Sequence, residues 1–148
     1  MRWNFPPLAV LLMVCHAANA QQPPIKVEIK LEQATVKNGQ CVSVGTTIKN
    51  ASTDDQHLRI WSCSYPQQWT TDNPAVALKQ VPCKENALDD VHLRPGEVYD
   101  RNLAVSVFVA AREGLERQIT FRLGFSSWDE ATVPPIWSNA VTVDLKEP

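Results

Sequence analysis

The sequence alternates apolar and charged side chains without a break at residues 25–31, IKVEIKL. Successive side chains of an extended strand point to opposite faces, so the isoleucines, valine and leucine share one face and the lysines and glutamate share the other. This stretch therefore predicts a strand with one face in a core and one face in solvent. The rest of the chain repeats the pattern.

Alternation of the same period recurs in six further segments, and no helical stripe of comparable length accompanies them. Residues Leu93-Arg94-Pro95-Gly96-Glu97 predict a turn, because proline and glycine suit its two corners, and a long strand should follow it. We expect that strand to form a hairpin with the next one across Arg112-Glu113-Gly114, and we expect at most a turn of helix at residues 85–91. The six segments are residues 41–48, 57–63, 75–81 (the weakest), 99–107, its partner 119–125, and 137–145.

Short strands separated by polar turns, without helical crossovers, predict an all-β fold. We expect an immunoglobulin-like antiparallel β-sandwich of about seven strands over residues 21–148. An up-and-down barrel is the alternative. The sandwich is favoured because short turns alternate with longer excursions, as Greek-key topology requires.

Residues 1–20 have the features of a signal peptide. Arg2 precedes a short apolar run, and Ala18-Asn19-Ala20 offers small residues for cleavage after Ala20. The run is about half of the roughly 20 residues that span a bilayer, so we expect no stable membrane insertion. The sequence predicts a secreted or periplasmic protein. Lipidation of Cys15 is a weaker alternative, because Val14 is not the small residue that usually precedes a lipidated cysteine.

Cleavage after Ala20 leaves Cys41, Cys63 and Cys83. In an oxidising compartment one pair should close and one thiol should remain. We favour a Cys63–Cys83 disulfide, because these residues bracket one excursion between two predicted strands. A Cys41–Cys63 bridge between antiparallel neighbours is the alternative. With the first pairing, we expect Cys41 to be a buried, inert thiol.

Charge and motif spacing exclude several classes of function. A formal net charge of −2 gives no electrostatic footprint for nucleic acid. His57 and His92 lack the close ligand spacing of structural zinc sites, so we expect surface histidines, no metal site and no cofactor. No arrangement of serine, histidine and acid suggests catalysis, and we expect a protein that is not an enzyme.

Two loops carry aromatic side chains that suit a protein or carbohydrate ligand. Tyr65 and Trp69 lie in the loop at residues 64–74, and Trp128 lies in the loop at residues 126–135. In the alternative interpretation, Trp69 and Trp128 fold back to cap the core. Trp61 and Trp137 lie on predicted strands and are expected in the core.

The turn at residues 93–97 before a long strand, with residues 44–50 leading into a polar turn, resembles the pattern of small bacterial immunoglobulin-like domains, including the BsuPI-type proteinase-inhibitor domain. The likeness spans residues 40–110 and supports the fold, but the export signal and the long insert between Cys63 and Cys83 depart from that family. We therefore expect an exported, non-enzymatic binding or interaction module. One alternative is a secreted peptidase inhibitor, in which Pro134-Pro135 would rigidify the loop that enters the protease. The other alternative is a periplasmic metal-handling protein.

Asn50-Ala51-Ser52 matches the N-glycosylation pattern, which matters only in a eukaryotic secretory pathway.

Overall fold

The computed structural model describes residues 23–109, 118–128 and 133–146. These residues form an all-β fold of twelve strands instead of about seven, because two predicted strands are divided and three strands were not predicted. The strands are β1 Ile25–Leu31, β2 Thr35–Lys37, β3 Cys41–Asn50, β4 Gln56–Trp61, β5 Trp69–Thr71, β6 Val76–Leu78, β7 Leu88–Leu93, β8 Val98–Val107, β9 Gln118–Phe121, β10 Leu123–Phe125, β11 Ile136–Trp137 and β12 Val141–Lys146.

The predicted signal peptide at residues 1–20 lies outside the described residues. Within the part of the chain that the structure describes, no helix is long and apolar enough to cross a membrane.

The first layer of the sandwich is an antiparallel sheet in the order β1-β3-β8-β6. The predicted strand at residues 25–31 is confirmed as β1, whose register places Val27 opposite Ile48 of β3. Alternate residues of β1, β3 and β8 are buried, which puts their apolar side chains on one inner face.

The second layer contains the sheets β11-β10-β5 and β2-β12-β9 and the pair β4-β7. Only Arg122 separates β9 from β10, so the predicted strand through Phe121 and Phe125 is confirmed but interrupted. The side chain of Asn139 joins the layers, because it accepts a hydrogen bond from the backbone N–H of Ile29 and donates one to its carbonyl oxygen. Both layers contribute to one core, which includes Val44, Val105, Phe121, Leu123 and Val143.

Two predictions about local connections are wrong. The strand β8 pairs with β3 and β6 and forms no hairpin with β9, which pairs with β12 in the other layer. Alternation identifies a strand but does not choose its partner.

Residues 85–91 do not form a helical turn, since Leu88–Leu93 is strand β7, paired with β4. Cross-strand hydrogen bonds outweigh the local preference there. The predicted turn at Arg112-Glu113-Gly114 lies outside the described residues.

The predicted turn at residues 93–97 is confirmed. Glu97 donates its backbone N–H to the carbonyl of Arg94, and Gly96 has a φ of +83°, a conformation that favours glycine. The turn is tied to the end of β3, because Gly96 and Asn50 donate their backbone N–H groups to the carbonyls of Asn50 and Glu97 respectively.

Asn50 is unsuited to glycosylation in the folded protein. Its side chain is 0% exposed, and the amide nitrogen donates to the carbonyls of Asp54 and Leu93 at 2.8 and 2.9 Å. Both amide hydrogens are therefore used, and the sequence pattern at residues 50–52 forms a structural link between β3 and the approach to β4.

The Cys63–Cys83 disulfide is confirmed, with 6.0 Å between the two Cα atoms. The prediction that Cys41 is buried is wrong, because its thiol is free and exposed. Cys41 begins β3 opposite Ser106, and it is the next residue, Val42, that points into the core.

Candidate binding surface

Trp69, predicted as a binding residue, lies in the core. It opens β5, is only 7% exposed, and its ring centroid lies 5.2 Å from that of Phe125 on the neighbouring strand β10. We therefore assign Trp69 to packing, as the alternative interpretation of this residue proposed.

Tyr65, the second predicted binding residue, is half-buried in the 3-10 turn Tyr65–Gln68 that precedes β5. The guanidinium of Arg101 lies 5.2 Å from its ring centroid and 5.4 Å from that of Tyr99. Arg101 also donates a hydrogen bond to the carbonyl of Ser62. Burial raises the pKa of the Tyr65 phenol, partly offset by Arg101, so the phenol is protonated at neutral pH.

Trp128, the third predicted binding residue, is 49% exposed. Its ring meets that of Trp61 edge to face, with 4.9 Å between centroids and 71° between planes. Trp61 is half-buried and not in the core, so that prediction is wrong. Leu58 and Ile60 of β4 are the buried positions, and Trp61 follows the opposite parity. We call these two rings the Trp61–Trp128 pair.

The pair lies beside a polar face formed by outward residues of β4 and β7. Arg59 stands opposite Asp90, with 3.6 Å between Nε and Oδ1, and His57 stands opposite His92. We call this set, with Trp61, the β4–β7 outer face. It places two kinds of hydrogen-bonding group, a guanidinium and a carboxylate, next to the Trp61–Trp128 pair.

The edge of β4 that does not pair with β7 is hydrogen-bonded to buried polar side chains of the same layer. Gln68 accepts a hydrogen bond from the backbone N–H of Trp61 and donates one to the carbonyl of Arg59. Ser127 accepts a hydrogen bond from the backbone N–H of Arg59 at 3.3 Å. Gln68 and Ser127 are both buried, so they hold β4 and the segment before Trp128 together and orient the two indoles in advance.

Trp137 is also exposed, at 37%, so the prediction that it belongs to the core is wrong. Its ring lies over Gly124, where a Cβ atom would come 3.1 Å from the ring and 2.8 Å from Pro135. Arg122 covers the ring with its guanidinium 5.4 Å from the centroid. Glycine is required here by the close approach, and the contacts with Gly124 and Arg122 give Trp137 a packing role. The close approach of Pro135 to Gly124 anchors the loop with Pro134-Pro135 to the sheet.

A shallow polar depression of about 360 Å³ lies on the outer face of the first sheet. Both of its carboxylates already have partners, since Glu28 pairs with Lys26 and Asp100 accepts a hydrogen bond from Thr47. The depression has no aromatic lining, and the Trp61–Trp128 pair is the stronger candidate for binding.

Sequence reasoning missed Trp61, Arg59 and Asp90 as members of this surface. The signal was present in β4, where Leu58 and Ile60 alternate with Arg59 and Trp61. The position of Asp90 could not be read in this way, because it depends on the pairing of β4 with β7.

Comparison with known proteins identifies no family. No family model matches the chain, the BsuPI-type inhibitor domain included, and no curated protein matches. That resemblance therefore stays a prediction.

Solved structures give distant similarities. Spo0M, a sporulation control protein from Bacillus subtilis, has a TM-score of 0.49 at 12% identity over 85% of this chain and 51% of Spo0M. This chain therefore spans about half of Spo0M. A FixG-related protein from Vibrio parahaemolyticus has a TM-score of 0.47 at 11% identity, over 84% of this chain and 99% of that protein. A β-glucosidase from Listeria innocua in complex with glucose has a TM-score of 0.38 at 18% identity, over 83% of this chain and 16% of the enzyme. At these values the similarities carry no argument about function.

Proposed function

We propose that this protein is an exported, non-enzymatic binding module that recognises a glycan through the Trp61–Trp128 pair. The observation that carries the proposal is Trp128, which is 49% exposed and held edge to face against Trp61 on a fixed strand. An exposed aromatic pair that is oriented before binding loses little entropy when a ligand arrives.

The groups around the indoles favour a sugar as the ligand. The apolar face of a sugar ring packs on an indole, and its hydroxyls need both donors and acceptors at the rim. Arg59 supplies donors and the largely exposed Asp90 supplies acceptors on the adjacent strands. A standard protein interface needs about 800 Å² from each partner, and two half-covered indoles suit a smaller ligand better.

The Cys63–Cys83 disulfide supports the export part of the proposal. Disulfides persist in secreted and periplasmic proteins and are rare in reducing compartments. In this proposal the signal peptide is removed after Ala20, and the mature chain carries the disulfide and the aromatic pair.

A glycan array probed with oxidised residues 21–148 tests this function. We expect binding to a subset of oligosaccharides, recovered uncleaved, and affinities from calorimetry that fall about tenfold or more in Trp128→Ala, which corresponds to about 1.4 kcal/mol or more. Phe108→Ala is the matched control, since Phe108 is an exposed aromatic residue at the end of β8, in the other sheet.

The proposal fails if no glycan binds at millimolar concentration or if the two variants bind equally well. Cleavage of a bound oligosaccharide would overturn the non-enzymatic assignment. Binding of a protein through Trp128, without glycan binding, would overturn the ligand class.

A further inference from the structure

The two histidines of β4 and β7 form a close cross-strand pair. His57 and His92 are direct partners in the register, and their rings are stacked with 4.5 Å between centroids and 9° between planes. Both side chains are exposed on the β4–β7 outer face. The sequence separates them by 35 positions, so spacing alone could not show this arrangement.

The neighbouring carboxylate determines which nitrogen of His92 is available. His92 Nε2 lies 2.8 Å from Asp55 Oδ2. An ionised carboxylate only accepts hydrogen bonds, so Nε2 carries the proton and donates it. In the neutral ring, Nδ1 of His92 then holds the lone pair. A histidine whose other nitrogen is bonded to a carboxylate is the usual arrangement of metal-ligating histidines.

The cross-strand positions of the two histidines suit one metal ion shared by both imidazoles. Nitrogen ligands lie about 2.0–2.1 Å from zinc, so two on one ion are roughly 3–3.5 Å apart. In the stacked arrangement the nitrogen lone pairs lie in nearly parallel ring planes and do not meet. An ion at Nδ1 of His92 therefore binds both rings only after His57 turns about its Cα–Cβ and Cβ–Cγ bonds and leaves the stack. Directly opposed positions on an antiparallel pair also keep both side chains on the same face.

We propose that His57 and His92 form a two-imidazole site for a divalent transition metal ion, with Asp55 as the positioning residue for His92. The two nitrogens replace two water ligands of the ion, and no electron is transferred. Cu²⁺ should bind most tightly, since nitrogen sites prefer it to Ni²⁺ and Zn²⁺. Among residues 23–109, 118–128 and 133–146, no group of three or more His, Cys, Asp or Glu side chains could hold a metal. Water therefore completes the coordination, and the ion is exchangeable.

Calorimetric titration of Cu²⁺ into oxidised residues 21–148 tests the site. The titration uses a Cys41→Ser background, because Cys41 is an exposed thiol. His16 lies within the predicted signal peptide, so residues 21–148 contain no histidine besides His57 and His92. We expect one ion per chain and an affinity that falls about tenfold or more in His57→Gln and in His92→Gln, because each leaves a single imidazole.

A separate measurement tests whether Asp55 positions His92. Asp55→Asn should weaken Cu²⁺ binding by about 10- to 100-fold, while the electron paramagnetic resonance spectrum still shows two coupled nitrogens, and Asp55→Glu should restore part of the affinity. Asp90→Asn is the matched control on the same face and should bind as the parent does.

Unchanged Cu²⁺ affinity in both histidine variants would overturn the site, and so would one ion shared by two chains or no saturable binding. Equal unfolding midpoints of parent and variants without metal show that the fold is intact. Trp128→Ala should bind Cu²⁺ normally, so this inference and the glycan proposal fail by different results.

Discussion

Two antiparallel strand pairs, β1–β3 and β4–β7, use the same backbone arrangement for different purposes. In both, one face is apolar and buried. The outward side chains of β1 are ordinary solvated charges, such as the exposed Lys26–Glu28 ion pair, which contributes little to stability. The outward side chains of β4 each contact a residue of β7 or the Trp128 segment.

The difference follows from where each pair sits. The strand β3 has neighbours on both sides, and its role is to build the core. The strand β4 has a single strand partner, and its other edge is occupied by the side chains of Gln68 and Ser127. A strand held in this way keeps its outer face open to solvent and its side chains oriented, which suits it for presenting a surface.

The largest expected effect on stability distinguishes a core residue, Phe125, from an exposed residue of the binding surface, Trp128. Phe125→Ala should reduce the free energy of unfolding by about 3–5 kcal/mol, because Phe125 is fully buried against Trp69. Trp128→Ala removes only an edge contact and should cost about 0.5–1.5 kcal/mol. Urea denaturation with the disulfide intact measures both values. Equal losses would show that Trp128 belongs to the core.

Removing the disulfide should loosen the β4–β7 pair selectively. The Cys63→Ser/Cys83→Ser double variant opens a loop with a sequence separation of 20, which costs about 3 kcal/mol in the chain-entropy model. Hydrogen exchange should accelerate most at residues 56–61 and 88–93 and least in β1 and β3. Cys41→Ser is the control and should change neither. Uniform acceleration across the sandwich would remove the distinction between the two regions.

Asn50 joins the two regions, and its loss should be felt in both. Asn50→Ala leaves the carbonyls of Asp54 and Leu93 without their donor and should cost about 1–3 kcal/mol. Lys49→Ala, at the adjacent exposed position, should have little effect on the urea midpoint. A comparable loss in both variants would argue against a special role for the buried amide.

The smallest effect is a pH dependence at Asp72. Asp72 accepts hydrogen bonds from the backbone N–H and from the side chain of Arg122. Both lower the pKa of Asp72 below the ordinary 3.8, and the backbone hydrogen bond has the larger effect. Because the pKa of Asp72 is lower in the folded state than in the unfolded state, the ionised carboxylate stabilises the fold at pH values above its unfolded-state pKa. This stability is lost as the pH falls through its folded-state pKa. The contribution should be no more than about 1 kcal/mol, since the pair is partly exposed.

Asp72→Asn should therefore flatten the decline in melting temperature as the pH falls below about 4. Glu28→Gln is a control from the other layer, in a solvated ion pair with Lys26. The same decline in Asp72→Asn as in the parent would show that the Arg122 contacts do not contribute.

Much of the fold could be predicted because apolar alternation is a local property. It located β1, β3 and β8, and the turn with Gly96, since each depends on its own residues. The short strands β2 and β5 were missed because three residues are too few to show a period. The hairpin of residues 99–107 with 119–125 was wrongly predicted because two strands adjacent in sequence entered different layers.

The candidate site could be predicted only in part. Trp128 was named from its loop composition and is exposed, whereas Trp69 was named on the same ground and is buried. Composition gave the two residues equal standing, and the difference arises because Trp69 begins a strand next to Phe125.

The sequence by itself determined the all-β class and the faces of the long strands, because alternation is written in the order of residues. It favoured the pairing of Cys63 with Cys83, which the structure confirmed over the Cys41–Cys63 alternative. The tertiary structure decided which strands pair. It placed His57 beside His92 and Trp61 beside Trp128, because hydrogen-bonded register and packing join positions that lie tens of residues apart.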